Sequence, residues 1–353
     1  MLRPWIRSLL AFAILLFAAP VPAQDPPERI VAVGDLHGDH DAWVAIARAA
    51  GLVDAKGHWA GGRTTLVQLG DIVDRQPDSL KIIRDLMRLE KEAPRRGGKV
   101  VVLIGNHEAM NMAGDLRYVH PGEYAAFANR DSERLRTQVF EANRKAFEDN
   151  YRAKQPGLTP EAIRDLWMKA TPPGMIEHQR AWSAGGELGQ WTLGHAAVAK
   201  IGDSLFVHGG ISSEYSTIAI DEINRRVREA LKAPGETPMT IADDPMGPLW
   251  YRGLITREGE EETPKPPATL IRPPSRPGIE LEVNIDLKAY GVKRIVVAHT
   301  PSLAGIISNW DGKLWRVDSG NSRAYGGVPS YLEIIGDRVT AHSVKRPTGS
   351  VRQ

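Results

Sequence analysis

No cysteine occurs among the 353 residues. That absence excludes disulfides, thiolate nucleophiles and cysteine-ligated zinc. A strong charge of either sign is also missing, because 45 Lys and Arg against 43 Asp and Glu leave a formal net charge of +2. Such a balance does not mark a nucleic-acid or membrane-surface partner, so any preference for anions must come from a local site. There is no internal repeat. The apolar run at 9–19 falls short of the roughly 20 residues that a spanning helix needs. It lies between Arg3 and Arg7 on one side and Val21-Pro22-Ala23 on the other, which is the order of a secretory signal. Cleavage after Ala23 is expected, with retention as an anchor as the alternative. The product would be periplasmic, with no stable membrane insertion. Residues 24–28 form a proline-containing leader.

What is present suits a globular protein. With 42% hydrophobic and 25% charged residues, the chain can bury a sizeable core in one large domain or two small ones. From Arg29, short β-branched runs alternate with amphipathic stretches, which predicts an α/β fold. Strands are expected at 29–33, 64–69, 99–104, 198–201, 204–207 and 294–298, and helices at 41–50, 79–92 and 216–231. Several short strands are expected within 306–344. The segment 122–170 is rich in Arg, Glu, Ala and Gln and reads as a helical insertion, broken near Gln155-Pro156-Gly157 and ending at Thr171-Pro172-Pro173-Gly174. Six prolines within 264–277 mark an extended connection.

Five motifs each follow a predicted strand. They are Gly34-Asp35-Leu36-His37-Gly38, Gly70-Asp71-Ile72-Val73-Asp74-Arg75, Gly105-Asn106-His107-Glu108, His208-Gly209-Gly210 and His299-Thr300-Pro301. Loops beyond the carboxyl ends of strands build the ligand site of open α/β sheets, so these five are expected to converge. Carboxylate, imidazole and amide oxygen suit hard or borderline divalent metals. Singly, each motif is weak: a Gly-Asp pair is usually only a turn, and a lone histidine is usually a packed one. As an ordered set they are specific.

That set resembles the calcineurin-like metallophosphoesterases, and its second and third motifs resemble the branch containing the serine/threonine phosphoprotein phosphatases. The run from Gly105 through Met112 into Gly114-Asp115-Leu116-Arg117-Tyr118-Val119, the long segment before His208, and Leu249-Trp250-Tyr251-Arg252-Gly253 are similar to the Shewanella-like phosphatases. The resemblance implies a four-layer α/β/β/α sandwich over 29–345 with the 122–170 insertion, followed by a tail at 346–353. It implies two divalent metal ions, manganese foremost, with iron or zinc as alternatives. Asp35 and His37 would bind the first, Asn106, His208 and His299 the second, and Asp71 both. A hydroxide between the metals would attack phosphorus in line. His107 would protonate the leaving oxygen with Asp74 supporting its imidazole, and Arg75 and Arg252 would bind phosphoryl oxygens. Two departures from the serine/threonine enzymes stand out: Gln76 follows Arg75 where glycine is usual, and Val317-Asp318-Ser319-Gly320-Asn321 replaces a Ser-Ala-Pro-Asn-Tyr run.

The expected substrate is a phosphorylated protein or a small phosphoester. Phosphotyrosine is expected to be preferred, because some Shewanella-like members favour it and because Tyr124 and Phe127 of the insertion could wall the site. A dinucleoside-polyphosphate or nucleotide hydrolase shares the same motifs and remains open. A non-catalytic binding protein on this scaffold is disfavoured by the complete ligand and acid set. His40, His58, His120, His178, His195 and His342 are expected to be structural or at the surface.

Overall fold

The computed structural model describes residues 28–234, 240–257 and 276–346. The signal segment, nearly all of the leader, most of the proline-rich connection and all but the first residue of the tail lie outside the described residues. The elements begin β1 (Arg29–Val33), α1 (His40–Ala49), β2 (Thr65–Gln68), α2 (Ser79–Glu92), β3 (Lys99–Val102) and α3 (Asn106–Met112). Six helices follow: α4 (Pro121–Phe127), α5 (Ser132–Ala142), α6 (Arg144–Lys154), α7 (Pro160–Ala170), α8 (Met175–Trp182) and α9 (Glu187–Leu193). The second half contains β4 (Val198–Ile201), β5 (Ser204–Val207), α10 (Ile220–Lys232), α11 (Ile279–Tyr290) and β6 (Arg294–Val297). It closes with β7 (Ile307–Asn309), β8 (Leu314–Arg316), β9 (Ser330–Ile335) and β10 (Arg338–Ser343).

The strands form two five-stranded sheets, ordered β10-β9-β1-β2-β3 and β4-β5-β6-β8-β7. In each, three neighbouring strands run parallel: β1, β2 and β3 in the first, β5, β6 and β8 in the second. Side chains alternate between faces along a strand, and those of β2, β5, β6 and all but the first residue of β1 are buried on both faces. Ile30, Ala32, Val67, Phe206, Val296 and Leu332 fill the space between the sheets. Val31, Val33 and Leu66 face outward to Trp43 and Ile46 of α1 and to Ile82 and Leu86 of α2. Leu205, Val207, Ile295 and Val297 similarly face Ile223, Val227 and Val283 of α10 and α11. The result is helix, sheet, sheet, helix, with the parallel strands ending on one side.

Four helices occupy 122–170, and a small core of Phe140, Trp167 and Ile176 ties this block together. Helices α8 and α9 extend it to β4. Helix α10 begins four residues later than the sequence suggests, and α11 was not expected at all. Among the described residues no helix is long and apolar enough to cross a membrane.

Candidate metal centre

The five motif loops leave β1, β2, β3, β5 and β6 at their carboxyl ends and meet. Their backbone is unusual: His37, Asp71, Asp74, Arg75 and His299 all have positive φ, between 40° and 72°. Non-glycine residues adopt this region at a cost, so the surroundings must enforce it. The amides of Leu36 and His37 both donate to the Asp71 carbonyl, at 2.9 and 3.0 Å, and Gly38 donates to Ile72 at 2.7 Å. Gly70, at φ 89°, approaches the third loop so closely that a Cβ would lie 2.5 Å from the Gly105 nitrogen. Glu108 ties these loops together, its buried carboxylate accepting from the amides of Asp71 (2.9 Å), Ile72 (2.8 Å) and Gly105 (2.8 Å). Glu108 stands in the third motif, but nothing local in the sequence marks it for this tie.

Two histidines are oriented by carbonyls. Nδ1 of His37 lies 2.9 Å from the Val73 oxygen, and Nδ1 of His208 lies 2.7 Å from the Leu69 oxygen. A proton on Nδ1 turns the Nε2 lone pair toward the cluster, as metal-ligating histidines require. His208 Nε2 then faces Asn106 Oδ1 at 3.0 Å and Asp71 Oδ1 at 3.3 Å. With the ring neutral and its proton on Nδ1, three lone-pair atoms converge here, as a bound cation requires. His299 Nε2 is buried with no hydrogen-bond partner. His37, Asp71 and His107 can present ligand atoms within 4.8 Å of one another, and so can Asp71, His208 and His299. Asp71 belongs to both groups. Asp35 lies alongside, with Oδ2 3.6 Å from His37 Nε2 and Oδ1 accepting from the His299 amide at 3.2 Å. The residues present therefore fit two divalent cations: buried carboxylate, imidazole and amide donors around one shared carboxylate.

Electrostatics point the same way. Burial opposes the charged form of His37, but Asp35 and Asp71 outweigh it and push the imidazole up to about 9. Burial also opposes charge on His208, and Asp71 again raises it to about 9. At Asp71, burial is overcome by the imidazoles of His208, His107 and His37, which hold the carboxyl well below its ordinary range. His299 goes the other way, lowered by burial and by the nearby charges of His208 and Arg252.

His107 stands beside this cluster, its Nδ1 2.5 Å from Asp74 Oδ2 and its Nε2 3.9 Å from Asp71 Oδ2. Asp74 Oδ1 accepts from Asn111 at 2.9 Å, and the Asp74 amide donates to Glu123 at 2.9 Å. Arg252 donates to the His299 carbonyl at 2.9 Å. Arg75 lies on the opposite, His37–His107 side, with its Cζ 4.6 Å from the Tyr118 ring and 5.2 Å from the Tyr325 ring.

A sixth loop, after β8, completes the rim. Asn321 donates to the Asp35 carbonyl at 3.1 Å, and the Ser322 hydroxyl to that of His37 at 3.4 Å. Asp318 is buried, and its burial and the charge of Asp35 hold its carboxyl well above the usual range. In the sequence this run stands out as a departure from the serine/threonine enzymes, without a sign of its contact with the Asp35 loop. The expected wall residues Tyr124 and Phe127 do not line the mouth. Tyr124 is buried and Phe127 half-buried, their rings 5.3 and 5.0 Å from His178. The structure places Tyr118 and Tyr325 at the mouth instead. His195 hydrogen-bonds Glu90 at 2.8 Å and His120 caps α4, so both are structural.

Comparison with known proteins agrees with this arrangement. Residues 28–303 match the calcineurin-like phosphoesterase family model. The chain is 31% identical over 328 residues to the Shewanella-like protein phosphatase 2 of Arabidopsis thaliana, spanning 89% of this chain and 76% of that one. It is also 31% identical over 317 residues to an uncharacterised protein of Schizosaccharomyces pombe, spanning 87% and 77%. The cold-active protein-tyrosine phosphatase of a psychrophilic Shewanella superposes with a TM-score of 0.62 at 25% identity, over 90% of this chain and 81% of that one.

Proposed function

The chain belongs to the calcineurin-like phosphoesterases, and from that membership we propose that this phosphatase hydrolyses phosphomonoesters on protein, with phosphotyrosine preferred over phosphoserine. The observation that carries the reaction type is the sharing of one buried carboxylate, Asp71, by two groups of side chains placed so that each can hold a metal ion. Asp35, His37 and Asp71 would hold a first divalent ion; Asp71, Asn106, His208 and His299 would hold a second. Manganese is the expected metal, and iron or zinc the alternatives. Bound there, the ions supply positive charge to the phosphoryl oxygens and an acidified water as in-line nucleophile.

The chain's own groups do the rest. Arg75 and Arg252, on opposite sides of the cluster, would bind phosphoryl oxygens through planar, permanently charged forks. His107, its Nδ1 pinned by Asp74, would deliver a proton from Nε2 to the leaving oxygen. The Met1–Ala23 segment supports a periplasmic place of action, which fractionation of the producing cell tests directly.

Two observations support the phosphotyrosine preference. Tyr118, 39% exposed, lies 5.2 Å from the His107 ring, and Tyr325 lies 5.4 Å from His37, so an aryl ester would meet aromatic surface. The Shewanella structure is that of a protein-tyrosine phosphatase. Burying the substrate ring is worth about 1.5–3 kcal/mol, or roughly a tenfold to hundredfold preference if expressed in the transition state. Matched phosphotyrosine and phosphoserine peptides, compared by kcat/KM, test this. Equal values would remove the substrate assignment and leave the phosphatase one standing. Faster turnover of dinucleoside polyphosphates than of either peptide would favour the nucleotide-hydrolase alternative.

A further inference from the structure

Arg75 is held without help from a carboxylate. Among the described residues no acidic group pairs with its guanidinium, and its Nε is buried without a hydrogen-bond acceptor. What surrounds it is aromatic, with the Tyr118 ring 4.6 Å and the Tyr325 ring 5.2 Å from Cζ. The backbone is arranged to match. Arg75 sits at φ 66°, and its amide donates to the Tyr118 carbonyl at 2.9 Å, so the same residue fixes both ends of the arginine. Tyr325 is fixed by its own turn: its amide donates to the Ser322 carbonyl at 3.0 Å. Gly320, at φ 65°, packs beneath it, where a Cβ would lie 3.2 Å from Tyr325 Cβ and 2.9 Å from Leu303 Cδ2.

We propose that Tyr118 and Tyr325 are positioning residues that hold the Arg75 guanidinium against their ring faces and present it, already oriented, to the phosphoryl group. This rests on the reading of Arg75 as a phosphoryl-binding group. A carboxylate partner would occupy the N–H donors and offset the positive charge that phosphate needs. An aromatic face attracts the cation through its quadrupole and leaves the N–H edge free. The rings also restrict a side chain that otherwise loses rotamer freedom when phosphate orders it. The ring is what matters here, so the hydroxyl is dispensable for this role.

The experiment uses the manganese-loaded enzyme, with inorganic phosphate as competitive inhibitor and p-nitrophenyl phosphate as substrate. Tyr118→Leu and Tyr325→Leu are each expected to weaken phosphate inhibition and raise KM roughly three- to tenfold, with kcat changing less and metal content unchanged. Tyr118→Phe and Tyr325→Phe should restore the wild-type phosphate constant. In an Arg75→Ala background neither leucine substitution should weaken inhibition by inorganic phosphate any further, whatever it does to the KM of the aryl substrate. If Tyr325→Leu does not accumulate, Tyr325→Met provides the same measurement. Leucine variants with wild-type phosphate inhibition would overturn the clamp, as would losses of phosphate inhibition of equal size with and without Arg75. If Arg75→Ala itself binds phosphate normally, the underlying reading of Arg75 fails. An Arg75→Ala defect beside harmless leucine variants sinks the clamp alone.

Discussion

The Nδ1 atom of His107 and the Oδ2 atom of Asp74 are 2.5 Å apart, and both side chains are shielded from solvent. The carboxylate cannot swing away, because Asn111 holds its other oxygen at 2.9 Å. The ring is thereby set with Nε2 facing the cluster, 3.9 Å from Asp71.

On that geometry we propose His107 as the acid of the reaction. His107→Asn is expected to keep its metals and to lose about a hundredfold or more in kcat on alkyl phosphates. p-Nitrophenyl phosphate, whose leaving group barely needs a proton, should suffer less. Metal analysis beside the two rates decides the matter, and metal loss in this variant would move His107 into the ligand set.

Glu108 is expected to matter for architecture more than for chemistry. Glu108→Ala leaves three buried amides, those of Asp71, Ile72 and Gly105, without an acceptor. Each such group costs about 1–3 kcal/mol. Urea unfolding should show a loss of at least ~2 kcal/mol, together with weaker metal binding, since Asp71 loses its anchor. Wild-type stability in this variant would show that water replaces the carboxylate.

Glu123 offers a test by pH. Burial and the neighbouring Asp74 push its carboxyl up to about 8 from an ordinary 4.5. The folded state therefore keeps a proton that the unfolded chain releases. Its contribution is fully present below about 4.5 and is lost as pH rises through about 8, with a slope of at most about 1.4 kcal/mol per pH unit. Glu123→Gln cannot ionise, so its stability relative to wild type should improve steadily across that window. Parallel curves of urea midpoint against pH would show that Glu123 is already charged.

Much of this was legible in the sequence because parallel strands are buried on both faces and end at glycine-marked loops. The residues of β1, β4, β5 and α2 coincide with their expected ranges, and all six expected metal ligands come together. Other features depend on packing that no local pattern encodes. In α11, Ile279, Leu281, Val283, Ile285 and Leu287 alternate with polar residues, the signature of a strand. The segment is nevertheless a helix that buries Glu282 and Asp286 and exposes Leu281 and Ile285. Tyr124 is the wall residue that the sequence suggests, whereas Tyr118 is the one at the mouth. Only the seating of α4 on His178 decides which ring reaches the mouth. The support that Asn321 gives the Asp35 loop spans 286 residues of sequence, beyond any spacing rule.

Metal uptake should compete with protons. In the metal-free site the imidazoles of His37 and His208 are pushed up to about 9, and a ligating nitrogen must be neutral. Both folded values exceed the ordinary 6.5, so their contribution to metal-free stability is present below 6.5 and lost as pH rises through about 9. Manganese affinity should therefore weaken as pH falls below about 9. Calorimetric titration in buffers of different protonation enthalpy should detect roughly two protons released per chain. Binding without proton release would contradict that assignment.

The central claim, that Asp71 organises a two-metal phosphatase centre, is tested most directly by measuring metal content and turnover on the same samples. Wild-type protein is expected to hold two divalent ions, to lose hydrolysis on exhaustive chelation and to regain it with manganese. Asp71→Asn should remain folded by circular dichroism while losing metal occupancy and most activity. Full turnover by exhaustively metal-free protein would contradict the account.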